Sequence, residues 1–208
     1  MSRSWVAPLT AIGFIVAVVL SFVISGEPPE ADSGAAEIVE HYVDNKDSVI
    51  VGAVFANLAA LLLVFFANLL RRTLSAAGDP TWSATVLVGA AVLAVAIAID
   101  ATISVALAEA AGDVEPSSVQ ALQALWDNDF LPFILGTLIF LISAGVSTLR
   151  SGAFPRWLGW AALVLALIGF TPIGWIAALG AALWVLVVAV LMARTPRPAA
   201  EQPPPARP

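Results

Sequence analysis

The residue in this chain best placed to do chemistry is an aspartate set in an apolar helix. Asp100 lies in "AIAIDATISVALAEA" (Ala96–Ala110), nine residues before Glu109. At 1.5 Å per residue that puts it about 13 Å beneath the outer edge of its helix. A carboxylate at such depth is expensive and points to a function with a partner. The preceding apolar segment supplies a candidate, Asn57, nine residues in from Ser48. The two helices run antiparallel, so Asn57 and Asp100 are expected at equal depth. Ser104, one turn outward, and Ser143, on a later helix, complete an expected intramembrane polar cluster. Such a cluster serves as a proton relay or as a polar anchor for a ligand. It serves equally as an interhelical clamp, worth on average about 0.6 kcal/mol.

A second set lies in the segments just before two apolar runs. "VDNKDSVIVGAVF" (Val43–Phe55) and "WDNDFLPFILGTL" (Trp126–Leu138) each place an Asp-Asn pair before a long hydrophobic stretch. Asp44, Asp47, Asp127 and Asp129, with His41 one turn before Asp44, are oxygen and nitrogen donors of the kind a hard cation takes. No calcium-loop pattern accompanies them, and Asp or Asn at a helix start is what N-capping requires. Capping is therefore the expected role, with no metal. His41 is the single histidine and there is no cysteine, so a nucleophile–base pair has almost no material. Nucleophile-elbow, zincin, P-loop and dinucleotide motifs are all missing. An enzyme is not expected, and neither is a cofactor.

The elements that must position these residues follow from composition. Of 208 residues, 60% are hydrophobic and 12% charged, about half the charge of an ordinary soluble domain. The mean hydropathy is +0.95. Too little polar surface remains to cover a water-facing globule, so an all-α, polytopic membrane helix bundle is expected. Crossing a hydrocarbon core takes about 20 apolar residues. Runs at 5–25, 48–70, 82–109 and 130–149 qualify. The last run, 157–192, is too long for one crossing and is broken at "FTPIG" (Phe170–Gly174), giving spans at 157–171 and 174–192.

Six spans gather Arg3, Arg71, Arg72, Arg150, Arg156, Arg194, Arg197 and Arg207 on one side and leave Lys46 opposite. By the positive-inside rule that side is cytoplasmic. The expectation is a multi-pass plasma (inner) membrane protein with both termini cytoplasmic. The first run is too long for a signal-peptide core and is read as an uncleaved helix. Residues 1–194 form the six-helix domain; 195–208, "TPRPAAEQPPPARP", is a Pro-rich cytoplasmic tail expected to be disordered.

Each outer loop carries an amphipathic surface helix. Ala35, Ile38, Val39, Tyr42 and Val43 share a face in the first, and Val119, Leu122, Leu125 and Trp126 in the second. Ser117 with Gln120 reads as a capping box. The Asp-Asn pairs recur at an offset of 83 residues, and "LLRRTLS" after span two rhymes with "VSTLRSG" after span four. Spans one–two and three–four thus read as a tandem hairpin repeat. Trp5, Trp82, Trp157 and Trp160 mark the inner boundary, and Trp126 and Trp175 the outer one.

"AAEIVEHYVDNKD", "LLRRTL" and "SGAFPRWLGWAALVLALIGF" together resemble a group of uncharacterised actinobacterial six-helix integral membrane proteins of unknown function, over about residues 5–193. The resemblance implies an α-helical plasma-membrane protein and carries no activity or site residue with it. Two functions remain open: a non-enzymatic accessory or sensor subunit or binder of a lipid-like molecule, and a small proton- or cation-coupled transporter or channel using Asp100. The partners expected are membrane lipids, with a membrane-protein partner or a second copy of the chain. The arginines are accounted for by anionic headgroups, so nucleic acid is not expected.

Overall fold

The computed structural model describes residues 5–30, 32–171 and 174–194, without the side chain of Trp175. Arg3, Pro172, Arg197, Arg207, the Trp175 belt position and the Pro-rich tail lie outside the described residues. The described chain is all helical: α1 (Val6–Ser25), α2 (Ala35–Asp44), α3 (Lys46–Ala76), α4 (Pro80–Ala110), α5 (Pro116–Asp127), α6 (Phe130–Ser151), α7 (Arg156–Gly169) and α8 (Gly174–Arg194). Helices α1, α3, α4, α6 and α8 are long and apolar enough to cross a bilayer, and α7 is a shorter apolar helix of 14 residues. The sequence places the break correctly, since α7 stops at Gly169 and α8 starts at Gly174. At about 21 Å, α7 spans less than the roughly 30 Å of a hydrocarbon core.

The long helices and α7 form a closed ring. Each packs on the next in the order α1, α3, α4, α6, α7, α8, and α8 returns to α1. Phe66, Leu70, Leu74, Leu141, Ala144 and Val188 fill the centre. Trp184 joins them, edge-on to Phe140 with ring centroids 6.1 Å apart, and its buried indole N–H donates to the Leu158 carbonyl at 2.9 Å. That bond removes the cost of burying a lone indole donor in an apolar interior.

Small residues set the closest approach. A Cβ on Gly89 would lie 2.3 Å from the Phe140 backbone nitrogen, and one on Gly136 would lie 2.5 Å from that of Leu93. Each glycine therefore admits the backbone of the other helix, as in membrane helix pairs generally. These two contacts fix an antiparallel register between α4 and α6. Followed outward it brings Asp100 opposite Asp129; followed the other way it brings Asp79 to Arg150, which do meet.

The register also changes the expected depth of Asp100. Helix α4 runs on ten residues past Asp100 to Ala110, beyond the start of α6. That projecting segment is covered by α2 and α5. Ile38, Tyr42, Val49, Leu107, Ala108, Ala111 and Val119 form a second apolar core there, separate from the ring's own. Asp100 thus lies at the foot of a two-helix cap. The measure from Glu109 fails because Glu109 stands on the projecting turn, where Lys46 Nζ pairs with it at 3.0 Å. Arg71, Arg72, Arg150, Arg156 and Arg194 lie at or just beyond helix ends at the opposite end of the ring.

Candidate functional site

The two surface helices hold their places by one buried side chain. Gln123 of α5 is fully buried. Its Oε1 accepts the Tyr42 hydroxyl of α2 at 2.8 Å, and its Nε2 donates to the Pro29 carbonyl at 2.9 Å and to Asp127 Oδ1 at 3.0 Å. Gln120 Nε2 reaches the Ser33 carbonyl at 3.2 Å. The capping box expected from Ser117 and Gln120 does not form. Pro116 already opens α5, so Ser117 lies inside the helix and Gln120 is used across the cap.

Under this cap is a small cavity of about 80 Å³, its wall mostly apolar with a few polar side chains. Ser21, Phe22 and Ser25 of α1 line it, with His41 and Tyr42 of α2, Val49, Ala53 and Ala56 of α3, Asp100, Ala101 and Ser104 of α4, and Trp126 of α5. This chamber joins members of the two sets that the sequence kept apart, Asp100 and Ser104 from one and His41 from the other. The Asp129 carboxylate stands close enough to Asp100 to interact electrostatically, and the Trp126 indole N–H interacts with Asp100 without completing a full hydrogen bond. His41 Nε2, Trp126 Nε1 and Asp129 Oδ2 are buried atoms without a hydrogen-bond partner. Orphaned groups of this kind around a cavity fit a hydrated or ligand-holding space.

Electrostatics in the cap follow from burial. His41 is held below the ordinary imidazole value of 6.5 by burial. The Asp129 carboxyl is pushed up, again by burial. Burial first, then the negative charges of Asp127 and Asp100, push the Tyr42 hydroxyl above the usual phenol range. Tyr42 therefore stays a donor toward Gln123 at every physiological pH.

Two expected members are elsewhere. Asn57 has the expected depth and the wrong face. Ala53 and Ala56 point into the chamber, and Asn57, one residue further around the helix, is exposed and donates to the Ala53 carbonyl of its own helix at 2.9 Å. Because it faces outward and satisfies itself locally, Asn57→Leu is expected to leave thermal stability in nanodiscs unchanged or slightly raised. A loss of more than about 1 kcal/mol would restore Asn57 as a partner of Asp100. Ser143 is buried much further along α6, back-bonded to Ile139 and Phe140 carbonyls. It is a packing residue of the α4–α6 seam.

The Asp-Asn pairs are not N-caps. Neither Asn45 before α3 nor Asp129 before α6 makes a side-chain capping bond. Instead each asparagine closes the helix behind it: Asn45 Nδ2 donates to the His41 carbonyl at 2.9 Å and Asn128 Nδ2 to the Ala124 carbonyl at 2.8 Å. Their backbones match as well, at φ −109°, ψ 16° and φ −109°, ψ 7°. Asp44 and Asp127 are exposed at the last turns of α2 and α5, with Asp127 held by Gln123. Among the described residues no three His, Asp or Glu side chains gather as a metal site would need. Trp126, expected in the outer aromatic belt, is a chamber wall instead.

No protein-family model, curated protein or solved structure matches this chain.

Proposed function

We propose that this chain is a non-enzymatic, six-span plasma-membrane protein that acts as a sensor or accessory subunit, with the α2–α5 cap as its responsive element. Both termini are cytoplasmic on this reading, since the arginine-bearing helix ends share one face of the ring. Membership of the actinobacterial group that the sequence resembles, and descent of the two capped hairpins from one duplicated unit, belong to the same reading. The matching Asn45 and Asn128 closures support the duplication.

One observation carries the functional reading: titratable His41 and Asp100 line the same small cavity under the α2–α5 cap. The signs follow from the shifts. His41 is disfavoured as a cation in the closed cap, so its contribution is intact above 6.5 and is lost as pH falls through its lowered folded value. Asp129 has the opposite sign. Its contribution is present below the ordinary 3.8 and is lost as pH rises through its raised folded value, so at neutral pH its charge works against closure. Asp100 and Asp127 are the other acids facing these groups. Acid therefore acts against the cap through His41 and in its favour through Asp129, and on this reading His41, which sits on the cap itself, sets the direction.

Amide exchange of α2 and α5 in nanodiscs, corrected for intrinsic rates, tests this. Protection is expected to fall as pH drops below about 6.5, the ordinary imidazole value from which His41 is lowered. His41→Gln should flatten that fall, and Asp129→Asn should raise protection at neutral pH. Cap protection that is independent of pH in the parent protein would rule the sensor reading out.

Transport coupled through Asp100 is supported less well. Ala59, Ala60, Leu63, Phe66 and Ala96, buried beyond Asp100 on α3 and α4, are apolar, and the buried polar residues Ser143, Ser147, Thr148, Ser83 and Asp79 lie further off, nearer the arginine end. Binding of a lipid-like molecule has its own support in an apolar cleft of about 410 Å³ lined by Leu107, Ala110, Val114, Val119, Leu122 and Leu125. That volume lies in the range of small-molecule sites.

A further inference from the structure

At the arginine end, Asp79 is an acid in a position it does not use in the ordinary way. It is the residue before α4, where a carboxylate normally accepts backbone N–H bonds, yet it makes no capping bond and the next residue, Pro80, has no N–H to give. The side chain turns inward instead, and the residue is 4% exposed. Its only ion pair among the described residues is a long one, Oδ1 to Arg150 Nε at 3.8 Å, and the Arg150 side chain is 65% exposed. Oδ2 is buried without a partner.

Two further oxygens, on α6 within three residues of Arg150, are equally unusual. A serine or threonine hydroxyl within a helix ordinarily bonds back to a carbonyl one turn earlier, as Ser143 does. Ser147 Oγ and Thr148 Oγ1, both fully buried in the last turns of α6, are without a hydrogen-bond partner. The α4–α6 register that joins Asp79 to Arg150 also brings Ser147 level with Ser83, a buried hydroxyl of the first turn of α4 whose proton goes to the Pro80 carbonyl. Apart from the Arg150 guanidinium, the set is oxygen only: one carboxylate oxygen and three hydroxyls in an apolar surround. Hard cations take oxygen donors, and a single carboxylate balances a single positive charge.

We propose that Asp79, Ser83, Ser147 and Thr148 bind a monovalent alkali cation, in competition with the Arg150 guanidinium. The cation takes the orphaned Asp79 oxygen, and Arg150, already mostly in solvent, gives up its long contact. Because Asp79 ends the α3–α4 turn and Ser147 and Thr148 lie in the last turns of α6, occupancy ties α4 to α6 at the end opposite the cap.

The test is thermal unfolding of the full chain in detergent at constant ionic strength, with N-methylglucamine chloride replaced stepwise by NaCl or KCl. A saturable rise of roughly 4–8 °C is expected once the cation is ~30-fold above half-saturation, and the two salts identify which ion the site prefers. Asp79→Asn should abolish the response, and Ser147→Ala should move its midpoint up by about tenfold while the protein stays folded. Arg150→Gln should move the midpoint down, a change that a purely structural ion pair would not give. Equal melting in all three salts, or a response kept in Asp79→Asn, overturns the site. A midpoint that does not fall in Arg150→Gln overturns the competition.

Discussion

Gly89→Ala is expected to lower the stability of the bundle by about 1–2 kcal/mol, although it replaces glycine by the best helix former. The propensity gain of such a change in a helix interior is about 1 kcal/mol. Against it stands a contact that cannot relax by rotating a side chain. The new methyl would meet the backbone of Phe140 at 2.3 Å and 2.6 Å and that of Ile139 at 2.8 Å, so α4 and α6 must part. Overpacking of this kind costs typically 1–3 kcal/mol, and parting strips the Ser143 and Phe140 contacts along the seam as well. Gly136→Ala should cost a similar amount through Leu93. The double variant should cost less than the two together, because one separation relieves both clashes. Gly112→Ala is the control, since its nearest neighbour would be Val43 Cγ2 at 3.8 Å. Thermal unfolding in nanodiscs gives the comparison. If Gly89→Ala melts at or above the parent while Gly112→Ala behaves the same way, the α4–α6 seam is not the closest contact in the ring.

The same seam explains what could be read from sequence and what could not. Hydrophobic run length, the break near Pro172 and the placing of arginines are local properties, and the helices follow from them. The place of Asp100 at the foot of the cap depends on where α4 stands relative to α6, which glycine contacts decide and no single helix encodes. Asn57 shows the same limit in rotation: counting residues gave its depth, while the face came from how α3 packs on α1. There Gly52 lets Ser25 approach, and Ala53 and Ala56 are turned toward the chamber. The union of His41 with Asp100 was invisible for a related reason. They belong to segments 59 positions apart, joined only by the folding of α2 onto the projecting end of α4. Asp79 was passed over because an acid just before a helix reads as an ordinary cap; only its missing capping bond and its burial set it apart.

Gln123 is the plainest case, and it carries the other large expected effect. The buried face of α5 is Val119, Leu122, Gln123 and Trp126, a strict helical stripe. Selecting apolar residues replaced Gln123 by Leu125, which is 55% exposed. A polar residue on such a stripe has to bring its own partners, and Gln123 brings Tyr42, Pro29 and Asp127. Gln123→Ala is therefore expected to weaken the cap by about 2–4 kcal/mol, since it leaves the buried Tyr42 hydroxyl and the half-buried Pro29 carbonyl without partners. The loss should be local. Amide protection in α2 and α5 should fall by about two orders of magnitude or more, while the ring helices keep theirs, because the second apolar core is separate from the first. Gln123→Leu completes the apolar stripe yet should do little better, as the same two groups stay orphaned. Adding Tyr42→Phe to Gln123→Leu removes one of them together with its partner, and such paired replacement is close to neutral. The double variant should therefore recover part of the protection that Gln123→Leu loses. If Gln123→Leu alone is as well protected as the parent, apolar packing and not the hydrogen-bonded staple holds the cap shut. An acid-opened chamber would then need a different latch.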